Sequence, residues 1–270
     1  MSHKNISNTI DEAEIEKFSK IADEWWSETG KFKPLHKFNP CRISYIIEQL
    51  TQLNTHKTDY GCLTSPSAED KNSYLPLKNL QILDVGCGGG LLCEPLSRLG
   101  ADVVGIDAGE KNIKAAKIHA NGLKIDYRSQ DVEELAKTSE KFDVVLAMEV
   151  AEHVLDVKKF LFAAKSCLKP GGLMFVATLN RTAKSYLKAI LGAEYILRWL
   201  PIGTHNWKKF LKPSEIHHHI SNDTDNDSGL ELVDLSGFSY NLLKDEWKKS
   251  EDLSVNYVMV FKWNPTTNHP

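Results

Sequence analysis

From Leu80 onward, short runs of β-forming residues alternate with stretches of helical periodicity. The strand-like runs are QILDV, ADVVGID, LKIDY, FDVVLAM and GGLMFVATL, and the helical stretches begin at Leu91, Glu110 and Lys158. Strands that alternate with helices are typical of a parallel sheet covered by helices. Two later runs, LELVDLSGFSY and LSVNYVMVFKW, predict an antiparallel pair of strands that closes the sheet. The sequence therefore predicts an α/β fold with a mainly parallel sheet.

Composition and charge limit the class of partner. The 270 residues carry 33 Lys and Arg against 36 Asp and Glu, a formal net charge of −3, so no global positive field favours nucleic acid. The five cysteines form no C-x-x-C pair, which is typical of reduced thiols. The N-terminal residues show neither a secretory signal nor an Arg-rich transit peptide, and no run approaches the about 18 apolar residues of a spanning helix. We expect a cytoplasmic protein, with peripheral contact at the inner face of a membrane left open.

The chain divides into three parts by composition. Residues 1–50 contain two segments of helical periodicity, Ile15 to Trp25 and Ile43 to Leu50, with Pro34 and Pro40 in the gap between them, and predict a helical extension. Residues 51–79 are polar and predict a loop or linker, and 80–265 form the main domain. That domain includes an apolar insertion at 184–207 and an exposed polar loop at 221–229.

A glycine-rich loop follows the first predicted strand and precedes a helix. The segment from Asp84 to Gly90 reads DVGCGGG, with Gly86 and Gly88 where backbone must approach a ligand closely. Leu91 occupies the sixth place of G-x-G-x-x-G, so the pattern is not the dinucleotide fingerprint and weakens a dehydrogenase interpretation. Asp107 ends the next strand, where a carboxylate can accept hydrogen bonds from both ribose hydroxyls. The loop and the acid together predict a nucleoside site.

Four further residues extend this predicted nucleoside site. Asp84 fits a ligand with a cationic amino-acid group, which S-adenosylmethionine carries. Asp131 can accept a hydrogen bond from the adenine amino group, with Val132 and Met148 as apolar walls. A helix-capping acid and ordinary core residues are an equal alternative for these positions.

Two acids and a histidine follow the fourth strand. Glu149, Glu152 and His153 stand at i, i+3 and i+4, which predicts one face of a helix beside the cofactor. Three roles stay open: a site for Mg²⁺ or a similar ion, a general base at His153, or a solvated acidic helix start. The run His217 to His219 suggests a metal site only weakly, because consecutive helical residues cannot all point one way.

The motifs LDVGCGGG, GIDAGEKNIKAAKIHA and AMEVAEHV resemble the class I S-adenosylmethionine-dependent methyltransferases. The segments Phe18 to Ile46, Ala177 to Pro213 and Val255 to Val258 are further similar to the ubiquinone biosynthesis O-methyltransferases. This resemblance implies a Rossmann-like fold with a mainly parallel seven-stranded sheet, and cofactor contacts at Arg42, Gly86, Asp107 and Met148. The length of the 51–79 stretch and the histidine run depart from the family pattern.

The resemblance also implies a reaction and its partners. The expected substrates are polyprenylated catechols, 2-polyprenyl-6-hydroxyphenol and 3-demethylubiquinol, methylated on a hydroxyl by S-adenosylmethionine. The resemblance also implies that activity depends on a divalent metal at the positions of Glu149, Glu152 and His153. Insertion 184–207 would contact membrane or cover the active site, and a complex with other ubiquinone biosynthesis enzymes is a further expectation. The alternatives are O- or C-methylation of another small phenol and a non-catalytic adaptor that binds S-adenosylmethionine.

Overall fold

An eight-stranded sheet forms the centre of the protein. The computed structural model describes residues 9–54, 75–187, 206–221, 229–241 and 243–264. The strands are β1 Gln81–Val85, β2 Asp102–Asp107, β3 Ile125–Ser129, β4 Phe142–Met148, β5 Leu168–Leu179, β6 Leu230–Asn241, β7 Glu246–Ser250 and β8 Asn256–Trp263. Their order across the sheet is β3-β2-β1-β4-β5-β8-β6-β7. Because the order reverses at β1, a crevice opens beyond the carboxyl ends of β1 and β4, where ligands bind in such sheets.

The predicted strand directions are confirmed and the predicted strand count is wrong. Strands β1 to β5 are mutually parallel, and β8 runs antiparallel to both β5 and β6. The additional strand is β7, whose sequence EWKKS pairs antiparallel with β6 and completes a hairpin. The composition of β7 is similar to that of a surface loop, so the strand was not predicted. A short edge strand needs no apolar face, and its charges oppose pairing with other chains.

Among the described residues, eight α-helices surround the sheet. They are α1 Glu12–Ser19, α2 Lys33–Asn54, α3 Cys93–Arg98, α4 Glu110–His119, α5 Val132–Leu135, α6 Val157–Ser166, α7 Ala183–Ser185 and α8 Pro213–Ser221, within the described ranges. Short 3-10 helices span Ala22–Glu24, Ala151–His153 and Trp207–Lys209. The predicted helix from Ile15 to Trp25 is therefore α1 followed by a separate 3-10 turn.

The predicted gap between the two helical segments is wrong at Pro40, because α2 begins at Lys33 and continues through that residue. Pro34 lies in the first turn, where its missing N–H group needs no intrahelical partner. Pro40 lies inside the helix, which costs about 3 kcal/mol. On the sheet-facing side of α2, Phe38, Tyr45 and Ile46 are buried, and each such side chain contributes about 1.5–3 kcal/mol. Burial therefore outweighs the proline.

The core has one apolar layer on each face of the sheet. On one face, residues of α2 pack with Ile82, Val144 and Phe175. On the other, Phe160 of α6 and Ile216 of α8 pack against the alternate positions of the same strands. Helix α2 thus shares a core with the sheet, while the division into extension, linker and main domain stays a prediction.

Several predicted segments lie largely outside the described residues. These are positions 55–74 of the linker, 188–205 of the apolar insertion and 222–228 of the polar loop. At the edges of the gaps, α2 extends to Asn54, and Tyr186 and Leu187 follow α7 with exposed side chains. Within the described ranges, every helix is too short or too polar to span a bilayer.

Candidate active site

The glycine loop joins β1 to α3 and has backbone angles that favour glycine. Gly86 has a φ of 70°, and Gly88 has a φ of 54°. A Cβ atom on Gly86 would lie 2.7 Å from Cγ2 of Val150, so the loop has no space for a side chain there. The Gly86 amide donates to the carbonyl of Ile106 at 2.8 Å, which ties the loop to β2. The loop is therefore a fixed cradle of backbone atoms.

Asp107 lies directly across this loop, as its spacing predicted. One carboxylate oxygen accepts a hydrogen bond from the Gly88 amide at 2.9 Å. The other accepts from the Gly109 amide at 2.7 Å and from Nδ2 of Asn112 at 3.1 Å. Burial raises the pKa of Asp107 against the lowering effect of these donors. The carboxylate is thus oriented by its neighbours and faces the cavity described below.

Buried charges lie beside the loop. Asp84 is 3% exposed and Arg42 is 4% exposed. Burial raises the pKa of Asp84 to about 6, and Arg42 opposes that rise. Burial lowers the pKa of Arg42, while the charges of Glu149 and Asp84 oppose that shift. Arg42 donates from Nη2 to Asn39 at 2.8 Å, and its buried Nε has no hydrogen-bond partner in the described part of the chain. A buried guanidinium with unused donor capacity is suited to an anionic ligand group.

One cavity of about 1030 Å³ contains every predicted site residue. Its lining includes the predicted cofactor residues Arg42, Asp84, Gly86, Gly88, Asp107, Asp131 and Met148 and the predicted catalytic residues Glu149, Glu152 and His153. Asp131 also caps α5, because its Oδ1 accepts from the Glu134 amide at 2.7 Å. Capping uses one oxygen of this carboxylate, and its contact with a cofactor stays a prediction.

Trp25 covers the glycine loop, a contact that the sequence analysis missed. Its Nε1 donates to Oδ1 of Asn112 at 2.9 Å, and its ring stacks on Phe32 with centroids 3.7 Å apart. A Cβ atom on Gly88 would lie 2.4 Å from Cζ2 of this indole. The neighbouring Trp26 donates from Nε1 to the Gly89 carbonyl at 2.8 Å. The two adjacent tryptophans were the available signal, but nothing local related them to a loop more than sixty residues away.

The predicted helical face for Glu149, Glu152 and His153 is wrong. Glu149 has a φ of 62°, and only the three residues Ala151–His153 form a helix, a single 3-10 turn. The Glu149 amide donates to the Ala177 carbonyl on β5 at 3.0 Å. This bond holds Glu149 at the sheet, so the chain turns sharply instead of starting an α-helix. The three side chains therefore do not share one face of an α-helix.

The donor set does not support the predicted Mg²⁺ site. Among the described residues, no group of three or more His, Cys, Asp or Glu side chains is placed to hold a metal ion. Glu152 is 4% exposed, and burial, followed by the charge of Glu149, raises its pKa to about 8.

His153 instead contacts a residue of α1. Its Nδ1 lies 3.1 Å from Oε2 of Glu14, and its ring meets Phe18 edge-on. Glu14 was not a predicted site residue. The two side chains are 139 residues apart in sequence, which no local pattern can relate.

Two other groups of residues that the sequence analysis considered have no predicted part in the chemistry. His217 and His218 are exposed on α8, and Nδ1 of His217 pairs with the Ser221 hydroxyl. Cys87 is buried in the glycine loop, and burial raises the pKa of its thiol to about 11. A protonated, buried thiol suits the predicted packing role rather than a nucleophile.

Comparison with known proteins agrees with this geometry. Residues 83–176 match the family described as a methyltransferase domain, Methyltransf_11. The plantazolicin methyltransferase BpumL, solved in complex with a monoazolic desmethylPZN analog and SAH, superposes with a TM-score of 0.53 at 18% identity. That match covers 94% of this chain and 98% of the other. The fold is that of the class I S-adenosylmethionine-dependent methyltransferases.

Two relatives with high sequence identity indicate which family of methyltransferases the chain belongs to. The ubiquinone biosynthesis O-methyltransferase of Bartonella tribocorum is 53% identical over 256 residues, which cover 94% of this chain and 96% of the relative. The protein of the same name from Pelagibacter ubique is also 53% identical over 256 residues, covering 94% and 98%. The chain belongs to the family of ubiquinone biosynthesis O-methyltransferases.

Proposed function

We propose that the protein methylates a catechol hydroxyl of polyprenylated intermediates in ubiquinone synthesis, 2-polyprenyl-6-hydroxyphenol and 3-demethylubiquinol. The near-full-length similarity to proteins named for this pathway is the observation that carries the proposal. The single cavity supports it, because residues suited to a nucleoside and residues suited to proton transfer line the same space.

The residues present fit S-adenosylmethionine, which supplies the methyl group from its sulfonium. Asp107 would hold the ribose hydroxyls, and Asp84 would pair with the ammonium group of the methionine part. Arg42 would pair with its carboxylate, using the donor capacity that is unused in the structure. Met148 and Asp131 would border the adenine.

The acceptor needs a base, because a phenol with a pKa of roughly 10 is mostly protonated at neutral pH. We assign this role to His153, which lines the cavity. The imidazole takes the phenolic proton as the oxygen–carbon bond forms and the carbon–sulfur bond breaks, with its electron pair remaining on sulfur. The surrounding apolar side chains, such as Phe18 and Phe38, exclude water from the reacting atoms.

The acceptor's polyprenyl chain suggests where the protein works. A water-insoluble tail favours peripheral contact with a membrane surface near the predicted insertion 184–207. Tyr186 and Leu187, at the start of that segment, are exposed apolar side chains. A cytoplasmic protein that docks reversibly on a membrane agrees with both features, and binding to other enzymes of the pathway would keep it there.

The test measures methyl transfer from labelled S-adenosylmethionine to a short-tailed demethylubiquinol, together with cofactor binding by calorimetry. We expect transfer by the wild-type protein, and a loss of about 100-fold in His153→Ala with cofactor affinity unchanged. His217→Ala is the matched control, because this histidine is exposed on α8. Cofactor binding without transfer to the catechol would refute the substrate assignment.

Repeating the same assay with a chelator tests whether methyl transfer depends on a divalent metal. Activity that withstands a chelator agrees with the base assigned here. Activity lost with chelator and restored by Mg²⁺ would refute the assignment of His153 as the unaided base.

A further inference from the structure

The hairpin formed by β6 and β7 extends past the edge of the sheet at which the cofactor residues lie. Strand β5 ends at Leu179, which pairs with Asn256, the first residue of β8. Strand β6 pairs with β8 as far as Gly237 and then continues to Asn241, where it pairs with β7. Because β5 is parallel to β4 and β4 to β1, this end of the hairpin stands at the carboxyl ends of those strands, beside the crevice.

An aromatic wall, formed by Phe38, Phe238, Tyr240 and Trp247, lies between this hairpin and α2. Phe38 meets Phe238 edge-on with ring centroids 5.1 Å apart, and its centroid lies 4.5 Å from that of Trp247. Tyr240 and Trp247 pair across the hairpin, with centroids 5.4 Å apart. All four side chains line the cavity. Phe38 and Phe238 are buried, whereas Tyr240 and Trp247 are partly exposed, so the wall runs from the interior towards the surface.

Charged groups hold the hairpin against α2. Lys37 of α2 pairs with Asp245, whose carboxylate also accepts a hydrogen bond from the Tyr240 hydroxyl. Further along, Nζ of Lys249 donates to Oε1 of Glu48 at 2.9 Å. The aromatic rings are therefore fixed before a ligand arrives, which reduces the entropy lost on binding.

The aromatic wall begins beside the proposed cofactor residues. The guanidinium carbon of Arg42 lies 5.4 Å from the ring centroid of Phe38, so the two ends of the site are in contact. The shared cavity of about 1030 Å³ is at the upper end of the range of roughly 300–1,000 Å³ for small-molecule sites, which leaves room for a second ligand beside the cofactor. The cofactor end carries the charges of Asp84 and Asp107, whereas the aromatic wall carries no ionic group.

We propose that the aromatic wall binds the polyprenyl tail of the methyl acceptor, so that Tyr240 and Trp247 determine the preference for a tailed substrate. The inference rests on the proposed function, which supplies an acceptor with such a tail, and it is independent of which group takes the phenolic proton. An isoprene chain has no hydrogen-bonding group, so an uncharged aromatic surface removes it from water at no polar cost.

Two acceptors that differ only in the tail test this role. One is 3-demethylubiquinol with a tail of two isoprene units, and the other carries a methyl group in place of the tail. We expect the ratio of kcat/KM for the tailed over the tail-less acceptor to fall at least about tenfold in Trp247→Ala and in Tyr240→Ala, through KM for the tailed acceptor. The kinetics with the tail-less acceptor should change by less than about threefold.

Three further variants separate tail binding from a loss of structure. Trp247→Phe keeps an aromatic ring and should restore most of the preference. If Trp247→Ala does not fold, Trp247→Leu keeps an apolar side chain and provides the comparison, with thermal melts to establish that it is folded. Leu243→Ala is the matched control, because this apolar side chain lies between β6 and β7 and is 98% exposed. Its tail preference should equal that of the wild-type protein.

Each outcome decides one question. A ratio near one in the wild-type protein, or an unchanged ratio in Trp247→Ala and Tyr240→Ala, would overturn the role of the aromatic wall. A loss of equal size with both acceptors would also overturn it, since the wall would then support the fold and not the tail. Absence of transfer to either acceptor would instead refute the proposed function. Calorimetry with both acceptors and S-adenosylhomocysteine would still show whether the tail adds affinity through Trp247.

Discussion

Glu152→Gln tests whether the buried carboxyl group in the active site is neutral. The pKa of Glu152 is raised from an ordinary 4.5 to about 8, first by burial and then by the charge of Glu149. Above pH 4.5 the unfolded chain therefore loses a proton that the folded protein keeps. The unfolded state binds fewer protons, so the free energy of unfolding falls as pH rises, until pH passes about 8. Glutamine is neutral throughout and removes this dependence.

The size of the effect follows from the two pKa values. Each pH unit in this window is worth about 1.4 kcal/mol, so the wild-type protein loses about 1 kcal/mol by pH 5 and about 3 kcal/mol by pH 7. Relative to wild type, Glu152→Gln should gain about 2 kcal/mol between pH 5 and pH 7, or roughly 5 °C in Tm for a chain of this length. Urea unfolding followed by tryptophan fluorescence at both pH values measures the change. Glu16→Gln, exposed on α1, is the control.

The free energy of unfolding should fall between pH 5 and pH 7 in the wild-type protein but not through this group in Glu152→Gln. A stability difference between wild type and Glu152→Gln that stays constant from pH 5 to pH 7 would mean that Glu152 is ionised in the folded protein.

Three further substitutions probe the cofactor side of the cavity. Gly88→Ala should weaken S-adenosylmethionine binding at least about tenfold, because the new Cβ meets Trp25 at 2.4 Å and the backbone strain alone costs about 1–3 kcal/mol; calorimetry with an unchanged Kd would contradict this. Trp25→Phe leaves Oδ1 of Asn112 buried without its indole donor. The free energy of unfolding, measured by urea denaturation, should therefore fall by about 1–3 kcal/mol. Arg42→Met should raise the Kd for S-adenosylmethionine at least about tenfold, because a buried cation beside Asp84 is lost; equal affinity in a direct titration would show that Arg42 does not contact the cofactor.

The sequence predicted the placement of the glycine loop beside Asp107 because the signals for it are local. Gly86 and Gly88 follow a strand, and Asp107 ends the next one, so parallel pairing of β1 with β2 brings them together. The turn requires backbone angles that favour glycine, so the positions of the glycines in the sequence indicate the turn directly.

The catalytic side was predicted less well because tertiary contacts decide it. The spacing of Glu149 and His153 indicated a helix, but the hydrogen bond from Glu149 to β5 holds the chain in a tight turn. Glu14 and Lys209 meet beside His153 although they are 195 residues apart in sequence, and no periodicity connects them. Likewise β7 has no apolar alternation, because it needs only the edge of β6 as a partner.

The position of β8 has a consequence for how the protein is made. This strand, Asn256–Trp263, is the last of the described strands along the chain, yet it lies between β5 and β6 in the sheet. During synthesis, β5 and the β6–β7 hairpin leave the ribosome before the strand that joins them, and each presents an unpaired edge until β8 arrives. A messenger truncated shortly before Asn256 would yield a chain with two open edges, which we expect to aggregate even though its cofactor loop is complete.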